Sequence, residues 1–315
     1  WGQAVSMLGD GLYYLILLFM ADKASGGDSG LVGLVGFAQA VPFLLFGPMA
    51  GRAADRYDRR KIMILSDFAS GLVTIGLAVY AVFVPLPNIW ILASVGFLLS
   101  SINSFFMPAR TAAIPNLVQG EALMEANSLI VSTQQIVFMM AHAFSLTVLG
   151  ALFKASPHIA FPLAAGMNAL TFLVSAAFIF GLPKLQPSLE GRESSGAWQE
   201  VVEGLKTVRN DSMMLPALAV SSVCQLFISG WMVCYLTTNR EWFGGEFWTL
   251  ALFELTFFAV LAVSSLVVGR MKLRKIGWAF SLSWISTGLL CALMVLGEKS
   301  FHFYVLMNAL CGITV

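Results

Sequence analysis

Apolar runs separated by short polar breaks constrain this chain more than any other feature: residues 1–21, 31–51, 62–85, 89–107, 126–153, 159–182, 212–239, 247–269, 276–297 and 301–315. A helix rises ~1.5 Å per residue and a bilayer's hydrocarbon core is about 30 Å thick, so a run of roughly 20 apolar residues is long enough to span it. Inside lipid the backbone must satisfy its own N–H and C=O groups, which a helix does within one segment. An all-α membrane protein with about ten helices is therefore expected. Of the residues 58% are hydrophobic and only 11% charged, against about 25% charged in a soluble domain. The net charge of +1 lacks the basic footprint of a nucleic-acid binder, so partners are expected within or across the bilayer.

The bases set an orientation. If the N-terminus is cytoplasmic, the inner loops carry fourteen Lys/Arg, including Arg52, Arg56, Arg59, Arg60 and Lys61, then Arg110, and later Lys272 and Lys275. The outer loops carry four: Lys23, Lys154, Arg240 and Lys299. The positive-inside rule then predicts a multi-pass membrane protein with its N-terminus in the cytoplasm. Cys224, Cys234, Cys291 and Cys311 all sit in apolar runs without a C-x-x-C pair, so neither a disulfide framework nor a metal site is expected. The chain opens on Trp1 directly inside an apolar run, which reads as a trimmed N-terminus.

Residues 183–211 have a linker's composition. Within them Trp198, Val201, Val202, Leu205 and Val208 recur at the spacing of one apolar helical face, predicting an amphipathic helix on the cytoplasmic membrane surface. Gly30, Gly33, Gly36, Gly47 and Gly51 put small residues on the second helix, where a neighbouring backbone is expected to approach closely.

The second run ends in Gly47-Pro48-Met49-Ala50-Gly51-Arg52-Ala53-Ala54-Asp55-Arg56-Tyr57-Asp58-Arg59-Arg60-Lys61. This short loop resembles the signature G-x-L-A-D-R-x-G-R-K/R of the major facilitator superfamily. Gly51, Asp55, Arg56, Arg59 and Arg60 match, while Ala53 replaces the Leu and Asp58 the second Gly. The variant is similar to the branch holding bacterial macrolide-efflux and enterobactin-export proteins. Ser6-x-x-Gly9-Asp10-Gly11, Met107-Pro108-Ala109-Arg110 and Ala126-Asn127-Ser128-Leu129 extend the likeness, and residues 269–275 resemble a degraded second copy of the signature. The resemblance implies the major facilitator fold: a six-helix N-terminal half over 1–182, the linker at 183–211 and a C-terminal half over 212–315, with about two helices beyond the end. It also assigns the signature residues to a conformational latch, led by Asp55 and Arg59, whose charge-assisted bonds exist in one rocked state. The plain alternative is that these bases only fix topology. Two departures weigh against proton antiport: 89–107 lacks the helix 4 Arg of many proton-coupled relatives, and Met139 to Phe144 replaces a Gly- and Pro-rich stretch in helix 5.

An ionisable side chain inside a span is costly and marks a functional candidate by default. Asp10, Glu254 and His142 are the coupling candidates, exchanging protons or contacting another cation. Their bland readings are a buried acid satisfied by Ser6 or backbone and a hydrogen-bonded packing histidine. Asp67, near the start of its run, is expected to serve the basic loop. The neutral residues Gln39, Asn103, Gln134, Gln135, Asn168 and Gln225 are cavity candidates, with interhelical hydrogen bonding as their equal rival. The 25 Phe and 15 Met suit a bulky apolar substrate, although lipid-facing surface accounts for most of them.

No phosphate loop, H-E-x-x-H or G-x-S-x-G is present, so neither an ATP-driven pump nor an enzyme is indicated, and no cofactor is expected beyond a coupling ion. The expected function is a monomeric secondary transporter exporting bulky amphipathic or drug-like molecules by alternating access. The alternatives are a lysophospholipid or lipid translocator and a non-transporting membrane sensor or scaffold.

Overall fold

The computed structural model describes residues 2–118, 122–186, 206, 209–211, 215, 235–268, 276–296 and 299–314. The helices are α1 (Gly2–Ala24), α2 (Ser29–Arg56), α3 (Arg59–Phe83), α4 (Ile89–Leu117), α5 (Ala122–Phe144), α6 (Gly150–Ala155), α7 (Pro157–Phe180), α8 (Phe247–Val268), α9 (Ile276–Leu296) and α10 (Phe301–Thr314). Residues 235–243 are also helical. A π-helical turn, Ser145–Leu149, joins α5 to α6 in one crossing. Seven of the described crossings are long and apolar enough to span a membrane, which accords with the all-α membrane fold expected. The amphipathic surface helix, most of run 212–239 with Gln225, and the second signature copy lie outside the described residues.

Local chemistry explains the helix starts. The side chains of Asp28, Asn88 and Asp58 accept from backbone N–H groups of the first turns of α2, α4 and α3, capping donors that have no partner within the helix. One boundary differs from expectation. The expected fourth span stops at residue 107, but α4 continues through Pro108 and Pro115 to Leu117. Neighbouring helices allow a membrane helix to absorb the missing proline donor, and Arg110 is thereby helical rather than part of a loop.

Three of the α2 glycines, Gly36, Gly47 and Gly51, are not close-approach positions. A Cβ built at Gly36, Gly47 or Gly51 meets nothing within 4 Å among the described residues. The tight crossings lie elsewhere. A Cβ at Gly9 would sit 1.9 Å from Thr171 Oγ1 of α7, one at Gly11 2.8 Å from Ala141 Cβ of α5, and one at Gly312 2.6 Å from Phe257 O of α8. Glycine is therefore what lets α1 lie against α5 and α7, and α10 against α8. Leu44, Phe83 and Leu296 are 82%, 79% and 81% exposed, a surface suited to lipid and poorly suited to water.

Two apolar clusters organise the interior. The larger joins α1 to residues of α2–α5 and α7 and, across the linker, to Tyr235, Leu236, Phe247, Phe253, Met294 and Tyr304. The smaller, Ala54, Met63, Ala109, Ala113, Ile179 and Leu185, sits at the end of the bundle carrying residues 52–61. None of its buried members lies beyond Leu185 in the chain.

Candidate functional site

A cavity of about 670 Å³ lies between helices from both sides of the linker. Its wall takes Asp10, Tyr13 and Tyr14 from α1, Gln39 from α2, Asp67 and Ser70 from α3, and Asn103, Phe106 and Arg110 from α4. Gln134, Phe138 and His142 come from α5, Glu254, Phe257 and Phe258 from α8, and Asn308 from α10. All three coupling candidates therefore meet one space, although they are spread over more than 240 positions of sequence. The wall combines aromatic rings with a larger number of polar and charged side chains, so it can stack against an apolar body and hydrogen-bond its polar groups.

The neutral candidates divide. Gln39, Asn103 and Gln134 line the cavity, whereas Asn168 is fully buried beside Asp10. Gln135 is half-buried outside the wall, its Oε1 lacking a hydrogen-bond partner among the described residues. Two side chains were misplaced by sequence reasoning. Asp67 does not serve the basic loop: two turns into α3 it is 3% exposed and faces the cavity with Ser66 and Ser70. Arg110, counted among loop bases, is a helix 4 arginine in the cavity wall. The uncharged run 89–107 is thus followed within the same helix by an arginine that reaches the cavity.

At the signature end the described bonds run to helix C-termini. Arg59 donates from Nε to Ala54 O (3.0 Å) and from Nη1 to Ala112 O (2.9 Å) and Asn116 Oδ1. Arg60 donates to Phe180 O and lies 4.9 Å from the centre of the Phe180 ring. Carbonyls at a helix C-terminus carry the negative end of its dipole, so cations are favoured there. Asp58, which departs from the signature, caps α3 and accepts from Leu185 N at 3.2 Å. An Asp directly before a helical run was the available signal for that role. Asp55 and Arg56 occupy the last turn of α2.

At the opposite end, contacts join residues on the two sides of the linker. Arg240 donates to Asp22 Oδ1 of α1 at 2.7 Å, and Ser29 Oγ and Thr237 Oγ1 are 2.9 Å apart. Phe19, Phe153 and Phe247 pack with ring centres 4.8–5.3 Å apart. A Cβ at Gly27, whose φ is +93°, would sit 3.3 Å from the Arg240 guanidinium. Neither Asp22 nor Arg240 was singled out from sequence, because each sits at the end of a run where a charge is unremarkable.

A sequence model described as the Major Facilitator Superfamily matches residues 1–315. The chain belongs to this superfamily. It is thus a membrane transporter rather than an enzyme. Macrolide efflux protein A of Streptococcus pyogenes is 23% identical over 318 residues, covering all of this chain and 76% of that protein. The MFS-type transporter YfiS of Bacillus subtilis, itself uncharacterized, is 30% identical over 225 residues, 70% of this chain and 51% of its own length. In three dimensions the chain is similar to the crystal structure of the nucleoside transporter NupG, with TM-score 0.65 and 12% identity over 99% of this chain and 79% of that one. That likeness concerns the fold alone.

Proposed function

We propose that this protein is a secondary exporter of bulky amphipathic or drug-like molecules that works by alternating access. The observation that carries the reading is the cavity of about 670 Å³, in which aromatic rings, amides and carboxylates surround one space. Aromatic surface accepts an apolar body and the polar groups orient it. The efflux name of the Streptococcus pyogenes relative favours export. In this reading the N-terminus is cytoplasmic in the bacterial inner membrane, the functional unit is a monomer, and residues 1–182 and 212–315 form the two halves that rock about the cavity. The Asp22–Arg240 closure belongs to the state shut at the outer face, and the residues around Asp55 and Arg59 form the latch of the alternate state. The coupling ion is a proton or another cation met by the cavity carboxylates.

The test uses the full-length protein in vesicles. A fluorescent macrolide or a dye-like amphiphile should cross under an imposed ion gradient. Flux of labelled lysophospholipid instead would make the protein a lipid translocator, and gradient-independent silence towards both would make it a sensor or scaffold.

A further inference from the structure

His142 and Glu254 come from α5 and α8, which lie on either side of the linker in sequence and pack against each other. Both are buried, at 1% and 7% exposure. His142 Nδ1 lies 2.6 Å from the carbonyl oxygen of Phe138, one turn earlier. A carbonyl can only accept, so Nδ1 carries the hydrogen in that bond. In a neutral imidazole this leaves Nε2 as an acceptor, and Nε2 faces Glu254 Oε2 at 3.8 Å with no hydrogen-bond partner among the described residues. An ionised carboxylate is likewise only an acceptor. Without a proton, two acceptors face each other in a site walled by Phe258, whose ring stacks on the imidazole at 4.8 Å, and by Phe138, which stacks on Phe258 at 5.5 Å. Such an unpaired arrangement is costly where water is scarce.

The geometry points to His142 and Glu254 as a single proton-binding site, holding one shared proton between α5 and α8. This rests on the transporter reading for its purpose but not for its chemistry. The proton arrives from and returns to the cavity, which both side chains line; loaded, it makes N–H···O or N···H–O, and no other bond changes. A charge-assisted N–H···O bond spans about 2.8 Å, roughly 1 Å less than the present separation. Loading therefore brings the two side chains together, and unloading lets them part. Around the pair, Tyr14 and Asp10 of α1, Tyr235, and Tyr304 of α10 are the titratable neighbours, and Arg110 of α4 stands in the same cavity wall. The groups that act on Asp10 are Asp67 and Asn168, neither of them a member of the pair.

An infrared pH titration of the full chain in lipid vesicles, reading the carboxylate and protonated-carboxyl stretches together, tests this without any substrate. Glu254→Gln should remove one titrating band. His142→Gln should move the midpoint of that band by at least about one pH unit, a tenfold change in proton affinity, while Asp10→Asn leaves it in place. A Glu254 band indifferent to His142→Gln, or moved equally by Asp10→Asn, overturns the proposal. If His142→Gln does not fold, nitrogen NMR of the histidines reads the coupling from the other side, and an imidazole titration unmoved by Glu254→Gln overturns it equally. A parent chain that keeps the coupled band yet moves no amphiphile defeats the transporter reading and leaves the shared-proton site standing.

Discussion

Asp10 and Glu254 stood out in sequence for one reason, an acid alone in an apolar run, and both line the cavity. Asp67 and Arg110 are ionisable residues of the same cavity wall, but Asp67 was expected to serve the basic loop and Arg110 was counted within a loop, because a run's edge was taken for a helix's edge. Proline conceals such edges: Pro108 reads as a stop, yet α4 passes through it. At this scale we expect Asp10→Asn, which mimics the protonated acid, to retain amphiphile binding and lose pH-gradient-driven flux in vesicles. Normal flux with an unchanged pH profile would reduce Asp10 to a packing acid. Asp58 teaches a smaller lesson, since a residue that departs from the family pattern caps α3 and ties the chain after α7.

Among elements, α1 is the axis of the described bundle, with Leu15 and Ile16 wholly buried and contacts to both α5 and α7. The small residues that permit this are Gly9 and Gly11, not the more numerous glycines of α2. Counting glycines in a run identifies where an approach is allowed, whereas the neighbouring helix decides where it happens. Gly9→Leu should therefore lower thermal stability in detergent, since overpacking costs about 1–3 kcal/mol. Gly36→Leu, with nothing within 4 Å among the described residues, should leave the melting temperature nearly unchanged. Equal melting temperatures for the two variants would show that α1 and α7 can part without penalty.

For the whole molecule, the described ion pair between the two sides of the linker, Asp22 to Arg240, sits at the end opposite the signature loop. Partly exposed pairs contribute about 1 kcal/mol, so Asp22→Asn should move the equilibrium roughly fivefold towards the state open at that end. Asp55→Asn should move it the other way. Thiol labelling of a cavity position from each side of the membrane reads both shifts, and unchanged accessibility in either variant would leave that charge a topological or packing feature. Orientation is checked independently: a cysteine replacing Ser195 should react with an impermeant reagent only in inside-out vesicles. Reaction in intact cells would show that the asymmetry of the bases had misled.

What the sequence determined by itself was the class of solvent, the helical nature of the described crossings and the family. Each depends on properties of a single segment: its length, its apolarity, its charged ends and the signature at 51–60. Tertiary structure alone decided which polar groups share the cavity, which glycines bear a crossing and which charges close an end. In an all-apolar helix the residues facing lipid and those facing protein have nearly the same composition, because lipid is as apolar as a protein core. Leu44 and Leu15 are chemically identical, yet one is 82% exposed and the other fully buried, and only the placement of neighbouring helices separates them.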